Sequence, residues 1–441
     1  MRINDYACTY RNYGSFILVY CNANHNHFIL QNVFQHFFQC VYIEHQNPAV
    51  VIENTAKKFN VDQQRVESDF QKFTEELLSN CAPVQLIKGQ EEKANQEDRI
   101  DDKYIFDIMA NSVIPFSATI ELTDTCNLRC VHCYRGKPVH SYWNLSTIES
   151  LLQQLQAMGT MHITITGGEP FMHPDCIKIL ELIGNMGFVL SVQTNATIGA
   201  EYLAEYAKLY PIKSVSVSIY STLAATHDKI TKIPGSLSMT LKAVEFLVKK
   251  DVPVSINCPV MTINVHDMEK LKAYADEMGI ICNFAFKIIP SQEDDKDTAK
   301  LNCFSADLLY ACMKNCNIQL YQNILEDIRK SKPKDRYCQT GFRSITLDAQ
   351  GNVIICNAYR KKCGNIKEKE ISEIWMHSQS LTEWRNTLSK VNDKCKACKA
   401  YAYCEPCPAH SYTLCGDDTK IDDITCDFGM AFYKADSQNI N

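Results

Sequence analysis

Residues 125–134, TCNLRCVHCY, carry three cysteines in the spacing CxxxCxxC. Cys126, Cys130 and Cys133 are suited to an iron-sulfur cluster, because a [4Fe-4S] cube is held by cysteine thiolates and these three would leave one iron open. The same cysteines could instead form a zinc knuckle if His132 supplied a fourth ligand. The segment therefore predicts a metal centre, and the surrounding sequence has to decide between the two metals.

Short apolar runs alternate with amphipathic segments from Val113 onward. Segments with helical spacing, such as 148–158 and 243–250, separate the runs. This alternation predicts an α/β fold with a parallel sheet, a partial (β/α)6 TIM-like barrel. Cys126 follows the first run at the rim where such sheets bind ligands. The predicted strands are 116–122, 162–168, 189–195, 215–221, 253–260 and 283–289.

The composition is that of a globular protein of two or three domains. The 441 residues carry a net charge of -6, which gives no basic surface for nucleic acid. No apolar run reaches the roughly 18 residues of a membrane span, and no signal peptide is evident. We therefore expect a cytoplasmic protein with no membrane or nucleic-acid partner. Its 22 cysteines point to metal more than to disulfides, because the cytosol is reducing.

The chain divides into segments of different patterning. Residues 16–30 predict a β-hairpin, and residues 51–80 predict two helices, of which Asp62 caps the second. Residues 307–330 have helical spacing and precede a cysteine-rich tail. The predicted divisions are an N-terminal winged-helix-like domain at 1–83, a charged linker at 84–112, the barrel at 113–325 and a C-terminal cysteine-rich domain at 326–441.

A second motif, ITGGEPFMHP at residues 165–174, ends the second predicted strand, 34 residues after Cys133 counted to Gly167. Together with CxxxCxxC it resembles the radical S-adenosylmethionine (SAM) superfamily. The resemblance implies that SAM fills the open iron and that one electron cleaves it to a 5'-deoxyadenosyl radical, which abstracts a hydrogen atom. The cofactor contacts that it implies are Gly167 and Gly168 by close backbone approach, Glu169 as acceptor for the cofactor's ammonium, and Thr194, Asn195 and Ser218.

The C-terminal cysteines have a spacing of their own. Cys338, Gly351 and Cys356 begin a series that continues as CxxCx5CxxC from residue 395 and ends with Cys426. The series resembles the SPASM domain, although its last spacing has two residues where three are usual. The resemblance implies two auxiliary [4Fe-4S] clusters, and so three clusters in all. One set would be Cys395, Cys398, Cys404 and Cys426, and the other Cys338, Cys356 and Cys407.

The second auxiliary set is one ligand short. Cys363, Cys415 or an iron left open for a substrate thiolate could complete it. A zinc ribbon is the alternative reading of the paired CxxC motifs. Most of the other twelve cysteines, such as Cys8, Cys21, Cys176 and Cys258, fall on apolar runs and are expected to be buried, unreactive thiols.

The N-terminal segment resembles the PqqD-like domains that recognise leader peptides. This resemblance implies a leader-bearing precursor peptide as partner, bound as an added strand at a sheet edge. The combination of three domains resembles radical SAM/SPASM peptide maturases, particularly the sactipeptide and ranthipeptide type. Such an enzyme would link a cysteine sulfur to a carbon of its peptide and would need a reductant such as flavodoxin or ferredoxin.

Other functions stay open from the sequence. A peptide epimerase or a carbon-carbon crosslinking enzyme would share all three domains. A sulfatase-type formylglycine maturase is less consistent, because its relatives carry Asp where this chain has Asn357 after Cys356. A zinc-stabilised binding protein is the non-enzymatic alternative.

Overall fold

The structure is a computed structural model that describes three parts of the chain: an N-terminal unit, a central α/β unit and a C-terminal unit. The predicted linker at 84–112 and the predicted helical stretch at 307–330 lie outside the described residues. The described residues are 2–3, 8–21, 26–81, 113–135, 138–289, 291, 298, 301, 338, 340–388, 395, 397–404 and 406–437.

The N-terminal unit is a four-stranded antiparallel sheet followed by helices. The predicted hairpin and the two predicted helices are present, and Asp62 accepts a hydrogen bond from the backbone N–H of Gln64, as a helix cap does. The elements are β1 (Arg2–Ile3), β2 (Cys8–Asn12), β3 (Ile17–Cys21), β4 (His27–Leu30), α1 (Asn32–Phe38), a π-helical segment (Gln39–Ile43), α2 (Pro48–Phe59) and α3 (Gln63–Cys81).

Strand β3 is buried on both faces, which explains its unbroken apolar sequence. Ile17 and Val19 belong to the core formed with α1 and α3. Leu18 and Tyr20 point the other way and pack against Met161 and other residues at the start of the central strands. The N-terminal sheet is thus docked on the N-terminal ends of the central sheet.

The central unit has the predicted α/β fold. Six parallel strands overlap the six predicted ranges, in sequence order across the sheet, and helices follow the first five. The strands are β5 (Ser117–Glu121), β6 (His162–Thr166), β7 (Val189–Thr194), β8 (Ile212–Ser218), β9 (Val254–Pro259) and β10 (Ile281–Ala285). The helices are α4 (Leu145–Ala157), α5 (Cys176–Asn185), α6 (Ala200–Leu209), α7 (Ala224–Thr231), α8 (Ser236–Lys249) and α9 (Met268–Glu277), with 3-10 turns at Pro170–Met172 and Val265–Asp267.

The C-terminal unit extends the same sheet, which the sequence did not predict. Its first strand pairs in parallel with β5 and the next two strands are antiparallel, giving nine strands in one sheet. The open edge of β5 is thereby covered. The elements are β11 (Ser344–Leu347), β12 (Asn352–Ile354), β13 (Lys362–Asn365), α10 (Ile371–His377), α11 (Gln379–Leu388), a 3-10 turn (Tyr401–Tyr403), α12 (Pro408–Cys415) and α13 (Asp423–Ser437).

The two faces of the central sheet differ in polarity. On β6, Ile163 and Ile165 are fully buried in the core beneath the helices, whereas Thr164 and Thr166 line cavities on the opposite face. Successive strand residues point to opposite faces, so the polar residues share the concave side. A closed TIM barrel fills that side with bulky apolar layers. Here it is polar and open. Within the described part of the chain, no helix is long and apolar enough to cross a membrane.

Candidate active site

A cavity of about 310 Å³, the rim cavity, lies at the carboxyl ends of the central strands. Every barrel residue singled out from the sequence lines it, with the exception of Glu169. The structure therefore brings together residues that are up to 92 positions apart in the chain, counted from Cys126 to Ser218. Those lining residues are Cys126, Cys130, Cys133, Gly167, Gly168, Thr194, Asn195 and Ser218.

The cysteine-bearing loop is held by backbone hydrogen bonds to the end of α7. The N–H of Arg129 donates to the carbonyl of Thr231 at 2.9 Å, and that of Val131 donates to Ile230 at 2.9 Å. The N–H of Cys133 donates to the carbonyl of Cys130 at 3.1 Å, which closes a turn between the last two cysteines. These hydrogen bonds hold the cysteine-bearing loop against α7 and fix the turn between Cys130 and Cys133.

Two of the three thiols are partly buried and only weakly hydrogen-bonded. The Leu128 N–H lies 3.4 Å from the Cys126 sulfur, and the Tyr220 hydroxyl lies 3.7 Å from the Cys130 sulfur. Burial raises the pKa of Cys126, and it raises that of Cys130 to about 12. A metal would have to displace these protons, as in thiolate sites generally. Three thiols on the wall of one cavity fit an iron-sulfur cluster with one iron facing the open space.

No three His, Cys, Asp or Glu side chains among the described residues are grouped closely enough to hold a single ion. A tetrahedral zinc site requires such convergence, because all four ligands bind one atom. In a cubane cluster each thiolate binds a different iron, so the sulfur atoms stand further apart. The donor arrangement at the rim therefore fits the cluster better than a zinc knuckle.

The two glycines of the GGE segment pack against the cysteine loop. A Cβ on Gly168 would lie 2.0 Å from the carbonyl oxygen of Thr125, and one on Gly167 would lie 2.3 Å from that of Thr123. Gly167 also has a φ of +139°, which side-chain-bearing residues rarely adopt. These two glycines therefore approach the backbone of residues 123–125 closely, as expected. This packing joins the GGE segment to the loop that carries Cys126.

Glu169 lies behind the wall of the rim cavity, with a fully buried side chain. Its carboxylate accepts hydrogen bonds from the Thr194 hydroxyl at 2.8 Å, the Asn195 N–H at 2.9 Å and the Phe171 N–H at 3.3 Å. Burial raises the pKa of Glu169 to about 7, although these three donors oppose the rise. In this geometry the side chain fixes the turn after β7, and it is Thr194 and Asn195 that face the cavity.

Asn195 connects that turn to the cysteine loop. Its amide nitrogen donates to the Asn127 side-chain oxygen at 2.9 Å and lies 3.9 Å from the Cys126 sulfur. Its own oxygen accepts from the N–H of Thr197 at 2.9 Å. Both ends of the Asn195 side-chain amide are therefore used: its nitrogen donates to the cysteine loop, and its oxygen accepts a hydrogen bond within the turn.

Tyr220 and Lys287 are among the residues of the rim cavity that sequence reasoning missed. Tyr220 lies two residues beyond Ser218, so the strand alternation could have placed both on the cavity side. Lys287 follows β10, and its ammonium lies 5.5 Å from the ring of Phe428, two residues after Cys426. The wall that carries Lys287 thus leads from the rim cavity towards the C-terminal cysteines.

The four cysteines of the first SPASM set lie near one another. Cys404 packs against α13, where a Cβ on Gly429 would lie 2.9 Å from its sulfur. Burial raises the pKa of Cys404 to about 11, and the charges of Cys426, Cys395 and Cys398 add to the rise. Cys395 and Cys398 likewise raise the pKa of Cys426, after burial as the main cause. The structure therefore brings this set together.

The three cysteines of the second set also lie near one another. Burial raises the pKa of Cys356 to about 12, with contributions from Cys407 and Cys338. The sulfur of Cys363 contacts the Lys361 carbonyl oxygen at 3.7 Å. Burial raises the pKa of Cys363 to about 12, although Ser378, Lys361 and Arg385 oppose the rise. No interaction between Cys363 and the three cysteines is recorded within the described residues. Cys303, Cys312 and Cys316 lie outside those residues.

A buried ion pair joins the central and C-terminal units. Arg360 donates to both carboxylate oxygens of Glu121, at 2.6 and 2.9 Å, and Arg135 lies 3.3 Å from the same carboxylate. Glu121 ends β5 and is fully buried, while Arg360 follows Cys356 by four residues. The bidentate geometry fixes the Cys356 loop relative to the strand that leads to Cys126.

Two family models match the chain. Residues 120–275 match the radical SAM superfamily, and residues 338–399 match the SPASM iron-sulfur cluster-binding domain. These matches support a radical SAM enzyme, with SAM and iron-sulfur clusters as its cofactors. More particularly, the chain has the pair of domains found in radical SAM proteins that carry a SPASM domain.

The chain is similar to proteins of different activities. It is 28% identical over 323 residues to the AdoMet-dependent heme synthase of Methanosarcina barkeri, covering 67% of this chain and 92% of that protein. It is 25% identical over 310 residues to AlbA, the antilisterial bacteriocin subtilosin biosynthesis protein of Bacillus subtilis, covering 67% of each. The structure of Streptococcus suis SuiB bound to SAM matches 96% of this chain and 100% of its own, at 15% identity and a TM-score of 0.61. SuiB has also been solved bound to the precursor peptide SuiA.

Proposed function

We propose that this enzyme matures a ribosomally synthesised peptide by forming thioether crosslinks between a cysteine sulfur and a carbon of the same peptide. The observation that carries the peptide part of the proposal is the presence of the N-terminal unit. The likeness to SuiB extends over 96% of this chain, which leaves only about 18 of 441 residues unmatched and so must include most of residues 1–83. SuiB was solved with a precursor peptide.

Heme synthesis is the second candidate, since the heme synthase of Methanosarcina barkeri is 28% identical. Its alignment covers 92% of that protein but only 67% of this chain, so about a third of this chain has no counterpart there. A tetrapyrrole substrate gives no role to an antiparallel sheet docked on the barrel. A leader peptide would give this sheet a role, because a peptide strand can add to a sheet edge through backbone hydrogen bonds.

Cys126, Cys130 and Cys133 would hold the radical SAM cluster, and Thr194, Asn195 and Ser218 would face SAM in the rim cavity. When bound, cluster and SAM together supply a 5'-deoxyadenosyl radical that takes one hydrogen atom from substrate. The residues of the chain position these groups and keep the site shielded on the helix side, where the sheet is apolar. The polar concave face leaves room for an extended peptide segment beside the cavity. A reductant such as flavodoxin or ferredoxin would supply the electron.

The thioether part of the proposal is supported by the second SPASM set. Cys338, Cys356 and Cys407 form a group of three thiols, and the neighbours of Cys363 are residues other than these. A cluster with three protein ligands has room for a thiolate of the substrate. The 5'-deoxyadenosyl radical would take one hydrogen atom from carbon, and the thiol would lose one proton. The electron left over when the carbon radical joins the thiolate would pass to the auxiliary clusters, so the peptide loses two hydrogens per crosslink. An epimerase or a carbon-carbon crosslinking enzyme would not require such an open position.

The proposed cofactor content is three [4Fe-4S] clusters. Iron and sulfide analysis after anaerobic purification should then give about twelve of each per chain. Replacing Cys404 by Ala should remove about four of each and leave the radical SAM cluster in place. Zinc in place of iron would support the binding-protein alternative.

Substrate class can be tested by SAM cleavage. A leader-bearing, cysteine-containing precursor peptide, the proposed substrate, should stimulate 5'-deoxyadenosine production by the reduced enzyme, and the stimulation should depend on its leader. A tetrapyrrole precursor of heme should not stimulate it. Stimulation by the tetrapyrrole alone would reject the peptide proposal in favour of heme synthesis.

A further inference from the structure

A second cavity, the lower cavity, lies at the N-terminal ends of the central strands and has a volume of about 400 Å³. The two cavities lie along the same strands, but different residues line them. On β6 it is lined by Thr164, whereas Thr166 lines the rim cavity, and on β7 the corresponding residues are Ser191 and Gln193. The chemistry of a parallel sheet normally lies at the other end. The lower cavity is therefore distinct from the site described above.

The lining of the lower cavity is basic and rich in hydroxyl groups. Lys213 on β8 and Arg343 before β11 contribute positive charge, and none of the described residues that line the cavity is Asp or Glu. Guanidinium, ammonium and hydroxyl groups are the donors that bind oxyanions in proteins. The hydroxyl-bearing lining residues are Ser117, Thr164, Ser191, Ser214, Thr340 and Ser344.

His162 provides an independent sign of a missing ligand. The side chain of His162 lines the lower cavity, and the residue is only 6% exposed. Its Nε2 atom lies 2.8 Å from Nε2 of His27, so its remaining polar atom is Nδ1. Nδ1 is buried and has no hydrogen-bond partner among the described residues. An unsatisfied buried polar atom is costly, and a ligand in the cavity would satisfy it.

Arg11 adds a buried charge at the same end of the sheet. Arg11 is 6% exposed, and its Nε atom donates to the Thr160 carbonyl oxygen at 2.9 Å. Its Nη2 atom has no hydrogen-bond partner in the described part of the structure. Arg11 and Lys213 are both close enough to His162 to help lower its pKa, after burial as the main cause. Buried positive charge of this kind is normally balanced by an anion.

We propose that the lower cavity is an oxyanion-binding site, in which Lys213, Arg343 and the hydroxyl lining hold a phosphate or a peptide carboxylate. Because His162 bonds to His27 on β4, an edge strand of the N-terminal sheet, a bound anion would stiffen the contact between that sheet and the barrel. This inference does not depend on which reaction the rim cavity performs. The two sources of the anion, free phosphate and an acidic peptide, share one chemistry.

The test is calorimetric titration of the full-length, cluster-loaded protein at constant ionic strength in chloride buffer. The probes are sodium phosphate, a blocked Gly-Glu-Glu-Gly peptide and its Gly-Gln-Gln-Gly counterpart. We expect saturable binding of at least one anionic probe. Lys213→Gln and Arg343→Gln should each weaken that binding about tenfold or more, the loss typical of one charge-assisted hydrogen bond. The matched control Lys242→Gln, which removes an exposed lysine of α8, should leave it unchanged.

The arms of the experiment separate the sources. Binding of the glutamate peptide but not of the glutamine peptide would assign the site to a peptide carboxylate. Binding of phosphate alone would assign it to a free anion. The proposal is overturned if no anionic probe binds saturably, or if Lys213→Gln and Arg343→Gln bind as tightly as the unmodified protein.

Discussion

Gly168 has no room for a side chain, because the backbone of the cysteine loop occupies the space. Gly168→Ala would place a Cβ 2.0 Å from the Thr125 carbonyl oxygen, and neither backbone can yield without moving Cys126. We expect this variant to lose SAM binding by at least tenfold and to bind less iron at the radical SAM site. Equilibrium dialysis with SAM and iron analysis measure both.

The matched control for that variant is Gly279→Ala. Gly279 has a φ of +68° and open space around its Cβ position, so it suffers backbone strain without a clash. It should lose some stability and keep SAM binding. If both variants bind SAM equally well, close packing of the GGE segment on the cysteine loop does not matter to the site.

Glu169 is the acceptor for three donors in the wall of the rim cavity, and glutamine cannot replace it. At pH 8, above its pKa of about 7, the carboxylate is ionised. Glu169→Gln would turn an N–H group towards the Asn195 or Phe171 N–H, and should lower the free energy of unfolding by about 1–3 kcal/mol. SAM affinity should fall as well, because Thr194 and Asn195 line the cavity.

Urea unfolding at pH 8 gives the stability of this variant. Glu149→Gln, an exposed position on α4, is the control and should change stability by less than about 0.5 kcal/mol. A Glu169→Gln protein as stable as this control, with unchanged SAM affinity, would show that the hydrogen bonds to Glu169 do not shape the cavity.

The sequence predicted eight residues of the rim cavity, because the cysteine spacing and the GGE segment have specific chemical roles. It did not predict the position of Glu169 behind the cavity wall. That position depends on the turn after β7, which is remote in the chain and contributes two of the three donors. Lys287 was missed because a lysine near a strand end is common and carries no spacing signal, whereas Tyr220 could have been found from its alternation with Ser218.

At the level of elements, the Glu121–Arg360 pair holds β5 against the Cys356 loop. Arg360→Met would leave the Glu121 carboxylate buried with only Arg135 nearby, at 3.3 Å. Breaking a buried pair by removing one partner costs about 3–5 kcal/mol, and we expect a loss of about 3 kcal/mol here. Thermal unfolding of the anaerobically purified protein measures it.

Lys361→Met provides the comparison at the neighbouring position. Lys361 forms an exposed ion pair with Glu383 at 3.0 Å, and pairs of that kind are worth less than about 1 kcal/mol. Equal losses in Arg360→Met and Lys361→Met would mean that the buried pair does not join the two units.

The elements of the central sheet could be predicted because each strand has an apolar face against the helices and is bounded by polar turns. The strands β11–β13 could not, since four or fewer residues each give too short a pattern, and their pairing with β5 is set by contacts distant in sequence. The N-terminal helix α1 was likewise missed. It is seven residues long and follows directly on β4.

In the whole molecule, the N-terminal sheet and the radical SAM cysteines lie at opposite ends of the central strands. We therefore expect that replacing Cys126, Cys130 and Cys133 by Ala abolishes SAM cleavage and leaves leader-peptide affinity within about twofold, as additivity of distant sites requires. Fluorescence anisotropy with a labelled leader measures affinity. A large loss of leader binding in this variant would contradict the separation of the two functions.

The central claim is that the enzyme makes thioether bonds in a peptide. Mass spectrometry of the cysteine-containing precursor peptide, after reaction with enzyme, SAM and reductant, tests it most directly. We predict a loss of two hydrogens per crosslink, with the participating cysteines no longer open to alkylation. A product of unchanged mass containing a D-residue, or one that has lost two hydrogens with every cysteine still alkylated, would contradict thioether formation.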